Sequence, residues 1–229
     1  MIKLEKTSIT NMENAIRGAR NPMNSWDRGD SYCTISHEDG LEYEDCLPKF
    51  VMGENDLALA RRLVKAGSDH RKFLRQIFVS VDITAPLYWW KEFDTYKVGT
   101  TANSCSTMHK IQAKEFVEED FSFEHLGFLP YGEGEYNFKA SIYETIADLN
   151  IARELFLETK DKRYWWQMIQ LLPSSYNQLR TVTLTYETLI NQYHARKHHK
   201  LDEWHIYCDW IETLPYFKEM CLEGETDGE

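Results

Sequence analysis

The chain has 229 residues, with 37 Asp and Glu against 26 Lys and Arg, for a formal net charge of −11. That sign excludes broad contact with a nucleic-acid backbone, which needs clustered cations, but leaves room for a local basic pocket around one phosphorylated small ligand. Aromatic residues make up 14% and charged residues 28%, and no run of about 18 apolar residues occurs, so the composition supports a sizeable core and argues against a membrane protein.

The N-terminal "MIKLEKTSIT" lacks the apolar centre of a signal peptide, and the expectation is an intracellular, cytoplasmic chain. Residues 1 to about 52 read as loops with short strands or helices, punctuated by the turn formers of "RNPMNSWDRGDSYC". From Glu54 the pattern sharpens. Leu57, Ala60, Leu63 and Val64 fall at helical spacing, and Gly67 stands where a helix C-cap is expected. Ser68 and Asp69 are candidate N-caps for a following segment. Ile77, Val79, Val81 and Ile83 alternate at period two, which predicts a strand. Pro86 then opens a helix, "PLYWWKEFDTYK", at a position where proline is tolerated.

The run "GTTANSCSTMHK", residues 99 to 110, reads as a polar, hydroxyl-rich loop. Residues 115 to 137, acidic and glycine-containing, are expected to be loop with short turns. "KASIYETIADLNIARELFLETKD" and "RYWWQMIQLLP" predict helices, the second stopped at Pro173. "TVTLTY" leans towards a strand and is followed by further helix, and residues 222 to 229 form a tail expected to be disordered. One α+β domain over 1 to 229, an antiparallel sheet with packed helices, is the simplest architecture.

Several constellations invite chemistry. Five cysteines with no CxxC pairing argue against a zinc finger or a disulfide framework. His194 and His198 share a helix face, yet Ala195 stands where a zinc-protease helix would carry glutamate, so the basic-face reading is preferred and no metal is expected. Cys105 would need a neighbouring cation to become a nucleophile. His109 is the candidate, against the simpler reading of a small, inert, buried residue.

Three pieces taken together resemble the flavin-dependent thymidylate synthases: His70 with Ala85-Pro86, the run 99 to 110, and the segment Leu189 to Arg196. Thr101, Asn103 and Ser106 stand at the spacing of the family's Ser, Asn and Ser. Leu189, Asn191 and Arg196 fall in register with its nucleotide-binding segment, and "LDEW" at 201 to 204 resembles its ending. The resemblance spans about residues 54 to 210. It implies a homotetramer with active sites between subunits, in which reduced FAD passes a hydride during the methylation of dUMP to dTMP. Methylenetetrahydrofolate supplies the carbon and NADPH reduces the flavin. On this resemblance Ser106 and Arg196 are the candidate catalytic residues, and Ser104, Ser106 and Arg196 the nucleotide binders. His70, Lys97, Asn103 and Asn191 are the candidate cofactor contacts. The family's further arginines are replaced: Thr95 or Tyr96, Val98 or Lys97, Met108 and Glu187 occupy their places. Two readings therefore stand side by side, a synthase and a divergent relative that binds a nucleotide or a protein partner without synthase activity.

Overall fold

The computed structural model describes residues 1–35 and 48–223. Residues 224–229, most of the expected tail, lie outside the described residues. The chain divides into two compact units, one of residues 1–5, 82–95 and 102–182, the other of residues 6–81, 96–101 and 183–229. A four-stranded sheet has the order β1-β4-β8-β5, built from β1 (Lys3–Thr10), β4 (Phe78–Pro86), β8 (Asn177–Thr185) and β5 (Thr100–Ser104). Each unit holds a portion of every one of these strands. Two antiparallel hairpins, β2 (Tyr32–Ile35) with β3 (Pro48–Val51) and β6 (Phe128–Tyr131) with β7 (Gly134–Asn137), complete the strands. The fold class is mixed helix and antiparallel sheet, as the sequence indicates.

The period-two pattern is realised in β4. Val79, Val81, Ile83 and Ala85 are all buried, with Ile77 just before them. Side chains on the other face pair across to β8: Ser80 shares a 2.8 Å hydrogen bond with Thr183, and Thr181 donates to Asp82 at 2.6 Å. The proline at 86 closes this strand rather than entering the helix, and its extended backbone (ψ 150) caps α3 (Leu87–Phe93).

In the first unit, α5 (Phe138–Thr159) packs on α6 (Lys162–Leu171). Ile111, Phe116, Phe121, Ile142, Leu149, Ala152 and Met168 form one apolar cluster there. The helix boundary at 160–161 is set by Lys160 in the left-handed conformation and by Asp161, whose carboxylate accepts from the Arg163 amide at 2.9 Å. Trp89, Trp90 and Phe93 of α3 pack ring against ring with centroids about 5 Å apart, Trp89 stacked on Phe93 and Trp90 edge-on to both. Full burial of each such ring contributes about 2–3 kcal/mol.

The second unit holds α1 (Met12–Ala19), α2 (Glu54–Lys65), α7 (Tyr186–Arg196), α8 (Asp202–Glu212) and α9 (Phe217–Cys221). Tyr186, Trp204, Tyr207 and Phe217 are the largest fully buried residues of its C-terminal helices among the described residues. α2 ends where the sequence predicts, with Gly67 at φ 98. The segment after it does not use Ser68 or Asp69 as caps. A short turn of 3₁₀ helix, Lys72–Gln76, begins after Arg71 without a side-chain cap.

Two expectations of irregular chain are overturned. Residues 128–137 form the β6–β7 hairpin, closed by Gly132 at φ 61 in a two-residue turn where a hairpin favours glycine. The run 99–110 is mostly regular: residues 100–104 are β5, and 107–110 make the single helical turn α4 (Thr107–Lys110).

Candidate functional site

The candidate residues fall into two sets, one in each unit. In the second unit they gather on and around α7. This helix starts the residue after β8 ends, with Thr185 as its N-cap: the Thr185 hydroxyl accepts from the Thr188 amide at 3.2 Å. Thr188 in turn donates its hydroxyl proton to the Val98 carbonyl at 3.1 Å. The backbone of Val98–Gly99 is thereby held on the first turn of α7, with Lys97 exposed beside it. Gly99 is required twice over. Its φ is 71, and a Cβ there would meet the Thr188 hydroxyl at 2.8 Å.

Arg196, at the other end of α7, is fixed by aromatic groups. Its Nε donates to the Tyr96 hydroxyl at 2.8 Å. Its guanidinium lies 4.8 Å from the ring of Trp204 and 5.5 Å from that of Tyr96. Tyr96, read from the sequence only as standing at a replaced arginine, and Trp204, read only as part of the "LDEW" ending, are partners that hold the arginine fork. Asn191 is exposed on the same helix, and its carbonyl oxygen accepts from Arg71 Nη2 at 3.1 Å.

Arg71 also resolves the anomaly at Glu187. The carboxylate is buried and lies 2.9 Å from Arg71 Nε and 4.0 Å from Arg75 Nη2. The Nε–H is not directed at the oxygen, so this is charge pairing rather than an aligned hydrogen bond. The glutamate at 187 thus comes with its own cation. His70, next in the chain, is exposed and is held through its backbone by the Gly67 carbonyl at 3.0 Å.

In the first unit, Asn103, Ser104 and Ser106 are all exposed. Ser106 caps α4, its oxygen accepting from the His109 amide at 3.1 Å, so its hydroxyl proton is directed elsewhere. Beneath them Gln178 is the organiser. Its amide donates to the Cys105 carbonyl at 2.7 Å and its carbonyl accepts from Arg180 Nε at 2.9 Å. Arg180 lies 4.1 Å from the Trp90 ring centroid and 2.6 Å from Asp94 through Nη1. Gln178, Arg180 and Asp94 are a second polar cluster that spacing alone does not reveal. Cys105 is exposed, which corrects the reading of a buried thiol. Met108 is half exposed and contributes a backbone carbonyl to Trp165 Nε1 at 3.3 Å.

Among the described residues no group of three or more His, Cys, Asp or Glu is arranged to hold a metal ion, and no helix is long and apolar enough to cross a membrane. No family model matches the sequence, and no curated protein matches it in sequence.

Solved structures are similar to the chain over nearly its whole length, and the class they define is that of the flavin-dependent thymidylate synthase fold. A thymidylate synthase X from Helicobacter pylori, solved with FAD and dUMP, is 16% identical with a TM-score of 0.64, covering 97% of this chain and 98% of that one. A second structure of the H. pylori flavin-dependent enzyme with the same ligands is 17% identical with a TM-score of 0.65, covering 96% and 98%. A UMP/dUMP methylase from Streptomyces cacaoi, bound with a brominated UMP, is 13% identical with a TM-score of 0.58, covering 96% and 89%. Coverage of 96–97% of this chain extends the likeness beyond residues 54 to 210, where the sequence carries the resemblance.

Proposed function

We propose that this chain acts on a pyrimidine nucleotide in the manner of a flavin-dependent thymidylate synthase, methylating dUMP to dTMP. The observation that carries the proposal is the orientation of Arg196. An arginine in register with the family's nucleotide-binding segment is held by Tyr96 and Trp204 with its fork pre-aligned, which lowers the ordering cost of binding an anion. The full-length fold similarity to chains solved with FAD and dUMP supports the same reading.

In this proposal Arg196 binds the nucleotide by charge-assisted hydrogen bonds. Ser104 and Ser106 donate hydroxyl protons to its phosphate or sugar. Asn103 offers both an amide donor and a carbonyl acceptor. The residues assigned to FAD suit a polyanionic cofactor. Lys97 is an exposed cation, and Asn191 keeps an amide donor while its oxygen is occupied by Arg71. His70 stands beside them. FAD, when bound, supplies hydride chemistry, and methylenetetrahydrofolate and NADPH complete the stoichiometry as co-substrates. A homotetramer is part of the proposal. On the β6–β7 hairpin Phe128 and Tyr131 are 65% and 76% exposed, and exposed Tyr136 meets the rings of Tyr131 and Phe138, a joined aromatic surface of the kind that another protein covers.

One observation favours the alternative, a nucleotide-binding relative without synthase activity. Glu187 neutralises Arg71, and a cation so engaged is less able to hold a pyrophosphate. The two readings separate in one experiment. Purified protein is loaded with FAD, its flavin absorbance is recorded, and, with NADPH and methylenetetrahydrofolate present, tritium release is followed from dUMP labelled at the ring carbon that accepts the methyl group. FAD retention with dUMP-dependent release supports the synthase. dUMP binding with no flavin uptake and no release rejects it in favour of the alternative.

A further inference from the structure

Arg71 lies across two residues of α7. Glu187 and Asn191 are one helical turn apart and so share a face. Arg71, which immediately precedes the 3₁₀ turn Lys72–Gln76, reaches both of them. Its Nε is 2.9 Å from a Glu187 carboxylate oxygen, and its Nη2 donates to the Asn191 side-chain oxygen at 3.1 Å. Arg75 adds a looser charge 4.0 Å from Glu187 while donating to the Ser68 carbonyl at 3.3 Å. Glu187 therefore acts as the anchor. A guanidinium that swung out to solvent would leave a buried carboxylate short of its closer cation.

The direction of the Asn191 carboxamide follows from the donor chemistry of its partner. A guanidinium carries N–H donors and no acceptor. The Asn191 atom that faces Arg71 is its oxygen, and the two amide protons are left on the other side. They have no partner among the described residues, and the residue is exposed. A carboxamide without such a hold turns over about its last torsion and presents an acceptor as readily as a donor. Held by Arg71, it presents donors only.

We propose that Arg71 is a positioning residue of the cofactor site. By holding the Asn191 oxygen it turns the amide protons outward, so the ligand group that meets them is a hydrogen-bond acceptor: a ring carbonyl, a ring nitrogen or a phosphate oxygen, and not an N–H. The proposal rests on the reading of Asn191 as a contact of FAD. It adds the polarity of that contact and the residue that sets it.

A double-mutant cycle on the full chain tests it, with FAD affinity read by flavin fluorescence and a melting curve recorded for every variant. Arg71→Lys keeps a cation beside Glu187 but loses the planar fork that reaches two acceptors at once, and it weakens FAD about threefold to tenfold. In an Asn191→Ala background the same change moves the affinity by less than about twofold, because no carboxamide is left to orient. Equal weakening in both backgrounds is what a merely structural role gives, and it overturns the proposal. Asn191→Asp, at an exposed position, reads the polarity without touching Arg71. It replaces the donors by a further acceptor and weakens FAD about tenfold beyond Asn191→Ala. An Asn191→Asp variant that binds FAD as well as the wild type overturns the acceptor class. Wild-type protein that takes up no FAD rejects the flavin reading and this proposal with it, whereas wild-type uptake with an unaffected Arg71→Lys overturns the proposal alone.

Discussion

Glu187→Gln is the substitution that bears most directly on how the α7 region handles charge. It keeps the shape of the side chain and removes the negative charge 2.9 Å from Arg71. Both side chains retain some exposure, 12% for Glu187 and 16% for Arg71. Breaking a fully buried pair costs about 3–5 kcal/mol. Partial exposure and a surviving amide oxygen bring the expected loss down to about 2–3 kcal/mol. For a chain of this size that lowers the melting temperature by about 4–12 °C. The same change releases Arg71 for an outside anion, and one charge-assisted hydrogen bond is worth about 1.5–3 kcal/mol. Pyrophosphate, used as the probe, is expected to bind about tenfold to a hundredfold more tightly. Differential scanning calorimetry reads the first effect and isothermal titration the second. A variant with unchanged melting and unchanged pyrophosphate affinity would refute the idea that Arg71 is held in reserve by Glu187.

Three further outcomes follow from other parts of the molecule. Gly99→Ala places a Cβ against Thr188 at φ 71 and is expected to cost about 2–3 kcal/mol, from left-handed strain and the loosened Thr188–Val98 bond; urea unfolding measures it, and wild-type stability would contradict the close approach. Burial works to raise the Asp56 carboxyl, but hydrogen bonds from Ser31, Arg20 and Asp30 outweigh it and hold the group below its ordinary value of 3.8. Its contribution is therefore complete above that value and lost as pH falls through the lower, folded one; in Asp56→Asn the unfolding free energy drops by about 3–5 kcal/mol at neutral pH and its acid dependence flattens, and an acid limb as steep as in the wild type would exclude this assignment. Burial and the nearby Asp209 and Glu212 push the Cys208 thiol up to about 11, and partial desolvation with the Glu13 carboxylate that accepts from Cys33 raises that thiol too, so maleimide at neutral pH is expected to label exposed Cys105 first, exposed Cys33 more slowly and Cys208 only on unfolding; peptide mapping after brief labelling distinguishes them.

The parts of the fold that were legible in the sequence are those with an unambiguous period. β4 alternates without interruption because both of its neighbours are strands and one face is fully buried, and α2 carries its apolar residues on one stripe before Gly67. β5 gave no such signal, because Thr101, Ala102, Asn103 and Ser104 are all exposed and no burial enforces alternation. The β6–β7 hairpin was hidden for the same reason, each of its β6 residues being exposed. At the candidate site, Asn103, Ser106, Asn191 and Arg196, whose roles are proposals, were picked out by local spacing together with the resemblance. The partners that orient them were not. Tyr96 and Trp204 reach Arg196 from distant positions in the chain, and Arg71 meets Glu187 only once the 3₁₀ turn lies against α7. Such pairings are products of tertiary packing, and a single sequence holds no period that encodes them.

Three strands run into helices with no connecting residue at all: β4 into α3 at Pro86–Leu87, β7 into α5 at Asn137–Phe138, and β8 into α7 at Thr185–Tyr186. A single residue inserted at any of these joints would turn the helix by about 100° about its axis, carrying Asn191 and Arg196 off their present face in the case of α7. Length variation compatible with this fold must therefore be absorbed elsewhere. An alignment of distant relatives that opens a gap at one of these three joints is misregistered, and gaps belong at positions such as the exposed tip of the β6–β7 turn, where Gly132 and Gly134 have nothing packed against them.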